Sequence, residues 1–260
     1  MPQILKPILP VLLALAGLLP AAAQTPLRIA AAADLLPVLP PILAQFQQKT
    51  GIRAEATYKA SAMLTTQILN GAPFDVFLAA DTGYPQRLLA AGAADSTSPS
   101  GVAPVIYAKG TLVLWTRNDS GLPPPSLALL RNPRLQRLAI ANPDRAPYGK
   151  AAVAALQKAG LYESLQPHLV IAEDIAQTAQ FVDSGNAQAG LISMTSALTP
   201  RLQADGRFFV IPRDLYPPLD QGVVIVHRST QRAAARRFVE FLLSPQVQSE
   251  LATTGLAPGR

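Results

Sequence analysis

Three polar residues suited to capping helices recur at one kind of junction. Asp34, Ser61 and Asp81 each stand where a short apolar run gives way to a helix-like stretch. The runs are Leu27 to Ala33, Ile52 to Tyr58 and Phe74 to Ala80. Each has the length of a buried parallel strand, and each is followed by apolar residues at helical spacing. Asp and Ser in these places are expected to cap the helices, because their side-chain oxygens accept from free amides of the first turn. Strands alternating with helices predict a parallel sheet, and such sheets bind ligands beyond the carboxyl ends of their strands. Several helix N-termini then converge on one crevice, each with unpaired N–H groups and the positive end of a helix dipole. That chemistry suits a small anion.

Other chemistry has little to stand on. The two histidines, His168 and His227, share no ligand spacing with each other or with acidic residues, so no metal site is expected. The sequence lacks a phosphate-cradling loop ending in Lys-Ser or Lys-Thr, a dinucleotide glycine fingerprint and a Gly-x-Ser-x-Gly elbow. None of the sixteen carboxylates stands out as half of an acid–base pair. No enzyme activity and no cofactor are expected. An exported hydrolase on an α/β scaffold is the rival reading, and it would need a nucleophile with an adjacent base.

The elements that must position these residues fall into two sets. After Asp34 a helix is expected to about Lys49, disturbed by Pro40 and Pro41. Helices are expected over Ser61 to Asn70 and Pro85 to Ala91, and one strand over Tyr107 to Thr116. The pattern then begins again, with strands at Leu138 to Ala141, Leu169 to Ala172 and Ala189 to Ile192. The intervening helices are Gly149 to Ala159 and Ile175 to Val182, the second capped by Asp174. Strands at Phe208 to Ile211 and Val223 to Val226 precede a helix at Gln231 to Leu243 and a last one capped by Ser244-Pro245. The fold class is α/β, with two lobes that each have their own sheet. Lobe one is expected to be discontinuous, residues 24–103 and 221–260, with lobe two at 104–220.

The first 24 residues place the chain outside the cytoplasm. Lys6 is the only charge before an apolar run ending in Ala21-Ala22-Ala23, a small-residue cleavage signal. Residues 1–23 therefore read as a secretory signal peptide cleaved near Ala23, and the mature protein as periplasmic. Pro7, Pro10 and Pro20 argue against a spanning helix of about 20 residues. With no cysteine there is no lipidation site, disulfide or thiol chemistry. The formal charge of +6 permits nucleic acid, an anionic surface or an anionic solute as partner. Export and the absence of a basic patch interleaved with aromatics disfavour nucleic acid. Arg228, Arg232, Arg236 and Arg237 lie beside or on a helix whose apolar side includes Phe238, Phe241 and Leu242. A solvated face explains them better than a docking surface.

Several segments carry a family resemblance. They are Ala31-Ala32-Ala33-Asp34-Leu35, Tyr58-Lys59-Ala60-Ser61 and Gly71-Ala72-Pro73-Phe74-Asp75-Val76-Phe77-Leu78-Ala79-Ala80-Asp81. The second half adds Asn142-Pro143, Pro147-Tyr148-Gly149, Ala172-Glu173-Asp174-Ile175 and Ala189-Gly190-Leu191-Ile192-Ser193. In this order the chain resembles the periplasmic molybdate-binding proteins of ABC importers. The resemblance implies a two-lobed, hinge-closing fold of the periplasmic-binding-protein kind, type II-like, with the ligand cleft between the lobes. It implies a monomer that captures molybdate or tungstate and delivers it to a membrane permease. The family's oxyanion contacts fall on Asp34, Ser61, Tyr148, Ile175 and Ser193. Ile175 would give its backbone amide, as would Tyr148, whose hydroxyl could add a contact; Ser193 stands where some members have tyrosine. A different small anion or an organic solute is the alternative ligand.

Asp34 departs from the family, where serine is commoner. A carboxylate about 4 Å from a dianion costs roughly 4 kcal/mol per unit charge at an effective dielectric near 20. Doubled for the dianion, that nearly cancels three or four charge-assisted hydrogen bonds of about 1.5–3 kcal/mol each. Either Asp34 turns away to cap its helix while its N–H serves the anion, or the ligand differs. Asp81 ends an equivalent strand and is expected to cap, which favours the first option.

Overall fold

The computed structural model of the protein describes residues 25–98 and 100–259. The expected signal peptide lies outside the described residues. Apolar runs and amphipathic stretches alternate from the start: β1 (Leu27–Ala32), α1 (Leu39–Thr50), β2 (Ala54–Lys59), α2 (Ser61–Leu69), β3 (Val76–Ala79), α3 (Gly83–Ala90), β4 (Ala94–Asp95) and β5 (Val105–Lys109). A second series follows: β6 (Leu112–Arg117), β7 (Leu138–Ala141), α4 (Pro147–Lys158), α5 (Tyr162–Leu165), β8 (Leu169–Ala172) and α6 (Ile175–Asp183). It continues with β9 (Ala189–Ser193), α7 (Met194–Ala197), α8 (Pro200–Asp205) and β10 (Gly206–Val210). The chain ends in β11 (Asp220–Val226), α9 (Arg232–Leu242), α10 (Pro245–Thr253) and β12 (Ala257–Pro258).

These elements build two lobes with one sheet each. The first sheet runs β12-β5-β11-β3-β1-β2, with β4 also on β11; the second runs β10-β6-β9-β7-β8. In the first, β1 pairs in parallel with β2 and β3, and β11 lies antiparallel between β3 and β5. In the second, β7 pairs in parallel with β8 and β9, and β6 lies antiparallel between β9 and β10. The order is the same in both lobes, and the antiparallel inner strand always arrives from the other sheet. The three parallel strands of each sheet therefore end at the seam between the lobes.

The expected single strand over Tyr107 to Thr116 is two strands in different sheets, parted at Gly110-Thr111. The chain changes sheets there, later than the expected boundary at residue 103, which would have put β5 in lobe two. The Gly110 N–H donates to the Leu219 carbonyl at 2.9 Å, so the outgoing and returning crossings are bonded to each other. Glycine is required here: a Cβ would lie 2.3 Å from the Tyr148 hydroxyl. Pro40 and Pro41 do not disturb α1, because the helix starts at Leu39 and places them in its first turn, where no N–H is needed. Leu39, Ile42, Leu43 and Phe46 form its buried stripe, and Gly51, at φ 73°, ends it in the left-handed conformation. Phe46 meets Phe238 of α9 edge to face at 5.3 Å, while Arg236 and Arg237 on the other face of α9 are exposed.

Asp75, in the Gly-Ala-Pro-Phe-Asp segment, ties both ends of lobe one together. Its carboxylate accepts from the Arg28 amide (2.8 Å), the Ser229 hydroxyl (2.6 Å) and the Gln231 side-chain amide (3.3 Å), with only 6% of the residue exposed. Asp75→Ala strands these donors in a buried place, so it should destabilise the protein by about 1–3 kcal/mol. Urea unfolding of the two forms measures this, and an unchanged midpoint would show that the network contributes nothing.

Candidate functional site

All five expected contact residues lie at the seam, and all are buried: Asp34 0%, Ser61 1%, Tyr148 1%, Ile175 3% and Ser193 0% exposed. Each follows or ends a parallel strand. Asp34 sits in a short 3-10 turn, Ala33–Leu35, after β1, and Ser61 is the first residue of α2 after β2. Tyr148 is the second residue of α4 after β7, Ile175 the first of α6 after β8, and Ser193 the last of β9. The amides of Ser61, Tyr148 and Ile175 are thus first-turn amides, which a helix leaves without an internal acceptor. They point the positive ends of three helix dipoles at the seam.

Asp34 does not cap a helix. Its turn starts one residue earlier, with Ala32 in the cap position, so the Asp34 side chain is carried toward the other lobe. There Asp34 Oδ2 accepts from the Tyr148 hydroxyl at 3.2 Å and from Gln221 Nε2 in a short hydrogen bond. Gln221 Oε1 in turn accepts from the Tyr107 hydroxyl at 2.7 Å, which fixes which end of the amide faces Asp34. Asp34 Oδ1 is buried without a partner. Burial pushes the Asp34 carboxyl up to about 6, against the lowering effect of the Gln221, Tyr148 and own-backbone hydrogen bonds. Burial, with the Asp34 charge second, raises the Tyr148 and Tyr107 hydroxyls well above their ordinary range, so both stay protonated donors.

Ser61 also leaves the expected capping role, since Ala60 holds that position. Its oxygen accepts from the Ala80 amide at 3.1 Å, which leaves the hydroxyl proton free to donate. Asp81 and Asp174 do serve first turns: the Tyr84 amide donates to Asp81 at 3.1 Å and the Gln177 amide to Asp174 at 2.9 Å. Ser193 belongs to a hydroxyl cluster, with Thr195 Oγ1 at 2.9 Å and Ser196 Oγ at 3.0 Å.

The lobes meet through specific contacts beside the site. The Thr195 hydroxyl donates to the Asp34 carbonyl at 2.7 Å, and the Ala62 amide to the Arg145 carbonyl at 3.1 Å. Lys150 of α4 lies 5.0 Å from the centroid of the Tyr84 ring of α3, a cation–π contact across the seam. Ala33, Ala60 and Ala80 share one buried apolar cluster with Tyr148 and Ile175. Gln221, Tyr107 and Thr195 are the site residues that sequence reasoning missed. Gln221 carried a signal: it is a polar residue opening an otherwise apolar strand, Gly222 to Val226. The histidines stand elsewhere, His227 beside Asp95 at 3.0 Å and His168 against the Gln136 carbonyl at 3.3 Å.

Known proteins resemble this chain in sequence and fold. The molybdate-binding protein ModA of Azotobacter vinelandii is 36% identical over 241 residues, 92% of this chain and 93% of that protein. ModA of Rhodobacter capsulatus is 35% identical over 228 residues, 88% of this chain and 86% of its own length. The solved structure of the Azotobacter vinelandii periplasmic molybdate-binding protein superposes with a TM-score of 0.81 at 28% identity, covering 90% of this chain and all of that one. The family of bacterial extracellular solute-binding proteins matches residues 27–257, nearly everything the structure describes, and the chain belongs to that family.

Proposed function

We propose that the protein captures molybdate or tungstate between its lobes and delivers the oxyanion to the membrane permease of an ABC importer. One observation carries this reading: first-turn amides of three helices are buried where both sheets end, together with the Ser61 hydroxyl, whose proton is free to donate. Neutral donors so arranged suit a tetrahedral dianion. The relatives named molybdate-binding support the choice of anion. Asp34, Ser61, Tyr148, Ile175 and Ser193 form the proposed contact set. The protein acts as a monomer in the periplasm, after cleavage near Ala23, and the two sheets with their helices are the bodies that close. Catalysis is not part of the reading, because the hydroxyls of Ser193, Thr195 and Ser196 bond to one another rather than to a histidine base.

The position of the Asp34 carboxyl inside the seam, rather than on a helix cap, favours a second reading. In it an organic solute, or another anion bearing a proton, donates to Asp34. The two readings differ in what stabilises the protein. Molybdate at a hundred times its dissociation constant should stabilise the mature protein by about 2.7 kcal/mol, with sulfate at equal concentration doing less. A thermal melt unmoved by millimolar molybdate and tungstate would refute the oxyanion reading.

Ser61 provides a local test. With its oxygen engaged by Ala80, the hydroxyl proton has the anion as its acceptor. Ser61→Ala should weaken molybdate binding by about 1.5–3 kcal/mol, the usual worth of a hydrogen bond to a charged group. Calorimetric titration of native protein and variant decides this, and equal affinities would leave Ser61 with only its bond to Ala80.

A further inference from the structure

A buried carboxyl inside an anion site needs an explanation that capping does not provide. Both acceptor directions of Asp34 Oδ2 are taken, by Tyr148 and by a Gln221 amide that Tyr107 holds in one orientation. Oδ1 has no partner although Asp34 is fully buried. Among the described residues no lysine or arginine lies within ion-pair distance of Asp34. The titratable groups around it are Tyr148 on α4 and Tyr107 on β5. Of the elements packed on its turn, β2 carries Glu55, Tyr58 and Lys59, α6 carries Asp183, and α7 carries none. An ionised Oδ1 would therefore meet an incoming dianion with no cation in ion-pair contact to offset the repulsion. A protonated Oδ1 would be one more donor, and it is the only oxygen of the pair with a direction left for a hydrogen.

On the reading that the seam holds an oxyanion, we propose that Asp34 takes up one proton as the anion enters and donates it through Oδ1, making capture proton-coupled and selective for oxyanions that carry no proton of their own. The proton comes from solvent and stays on the carboxyl; no bond of the oxyanion breaks. The first-turn amides of Ser61, Tyr148 and Ile175 can only donate, so a hydrogen carried by the anion finds no acceptor among them. Burial already places the carboxyl near the start of the neutral range, and a neighbouring dianion raises it further.

The sign follows from linkage. Below about pH 6 the carboxyl is protonated with or without ligand, and affinity is flat; above it each bound anion must recruit a proton, and affinity falls. The test is calorimetric titration of the mature protein with molybdate at pH 5.5, 7 and 8, each in two buffers of different ionisation enthalpy. Proton uptake should rise toward one per anion at the upper pH, and the dissociation constant should weaken by about tenfold per pH unit there. Asp34→Asn, which keeps a donor in place, should show neither effect and should bind at least as tightly as the native protein at pH 8. The native titrations stand alone should the variant fail to fold. Tight, pH-independent binding without proton uptake would overturn the proposal and leave the oxyanion reading intact. So would a preference for hydrogen phosphate over molybdate that Asp34→Asn abolishes, the mark of an ionised acceptor. Failure of native protein to bind molybdate at any of these pH values would overturn both.

Discussion

The contact on which the two lobes and the site all depend is the one between the Asp34 carboxyl and its two donors. Tyr148 reaches it from the amino end of α4 in lobe two, and Gln221 from the strand that has just returned to lobe one. Tyr107, on the last strand before the outgoing crossing, sets the orientation of Gln221. One carboxyl therefore bonds across the seam to the facing lobe and to the returning crossing, and reaches the outgoing crossing through Gln221. A rotation that separates the lobes must break the Tyr148 bond and the Thr195 bond to the Asp34 carbonyl together. Because the group is buried without a cation, its protonation state matters more than at a solvated position, where water would screen it.

The topology explains why the site can be assembled from such distant residues. In each sheet the antiparallel inner strand, β6 or β11, comes from a crossing, so neither sheet is complete without chain that has just left the other lobe. The crossings are short and bonded to each other through Gly110 and Leu219. Short paired connections restrict relative motion to bending about them, and the carboxyl ends of both parallel strand sets stay opposed. The same restriction explains the demand for glycine at residue 110, where the Tyr148 hydroxyl leaves no room for a Cβ.

Much of this was legible in the sequence, and the failures have one cause. Strand and helix alternation follows from local periodicity, and the structure places β1, β3, β7 and β8 within two residues of the runs that announced them. Asp81 and Asp174 serve first turns as their positions suggested, since an aspartate of that kind finds its donor three residues on. Asp34 and Ser61 occupy similar junctions yet do not cap. The 3-10 turn at Asp34 and the helix at Ser61 each take a preceding alanine as cap, Ala32 and Ala60, and the Asp34 and Ser61 side-chain oxygens meet donors from afar. Tyr148 is 114 residues from Asp34, Gln221 is 187, and Ala80 is 19 from Ser61. Local spacing cannot see such partners. The uninterrupted run from Tyr107 to Thr116 hid a change of sheet for the same reason: each half is a good strand, and only the tertiary pairing assigns them to different lobes.

The proposed division of donors between the lobes bears on how a transport protein can hold an anion firmly and still release it. Ser61 and Asp34 belong to the lobe of the first sheet, and Tyr148, Ile175 and Ser193 to that of the second. Each donor is neutral or, for Asp34 in the proposed scheme, neutral once protonated. A lysine or arginine would attract the anion from either lobe alone, at long range and in the open protein. Amide and hydroxyl donors work only at contact distance, so most of the binding energy of such a site is realised after closure. A ligand that bridges the seam shifts the population toward the closed form by the difference between its affinities for the two forms. Opening the lobes at a membrane partner reverses that difference, and the anion is then left with half its donors and returns to water.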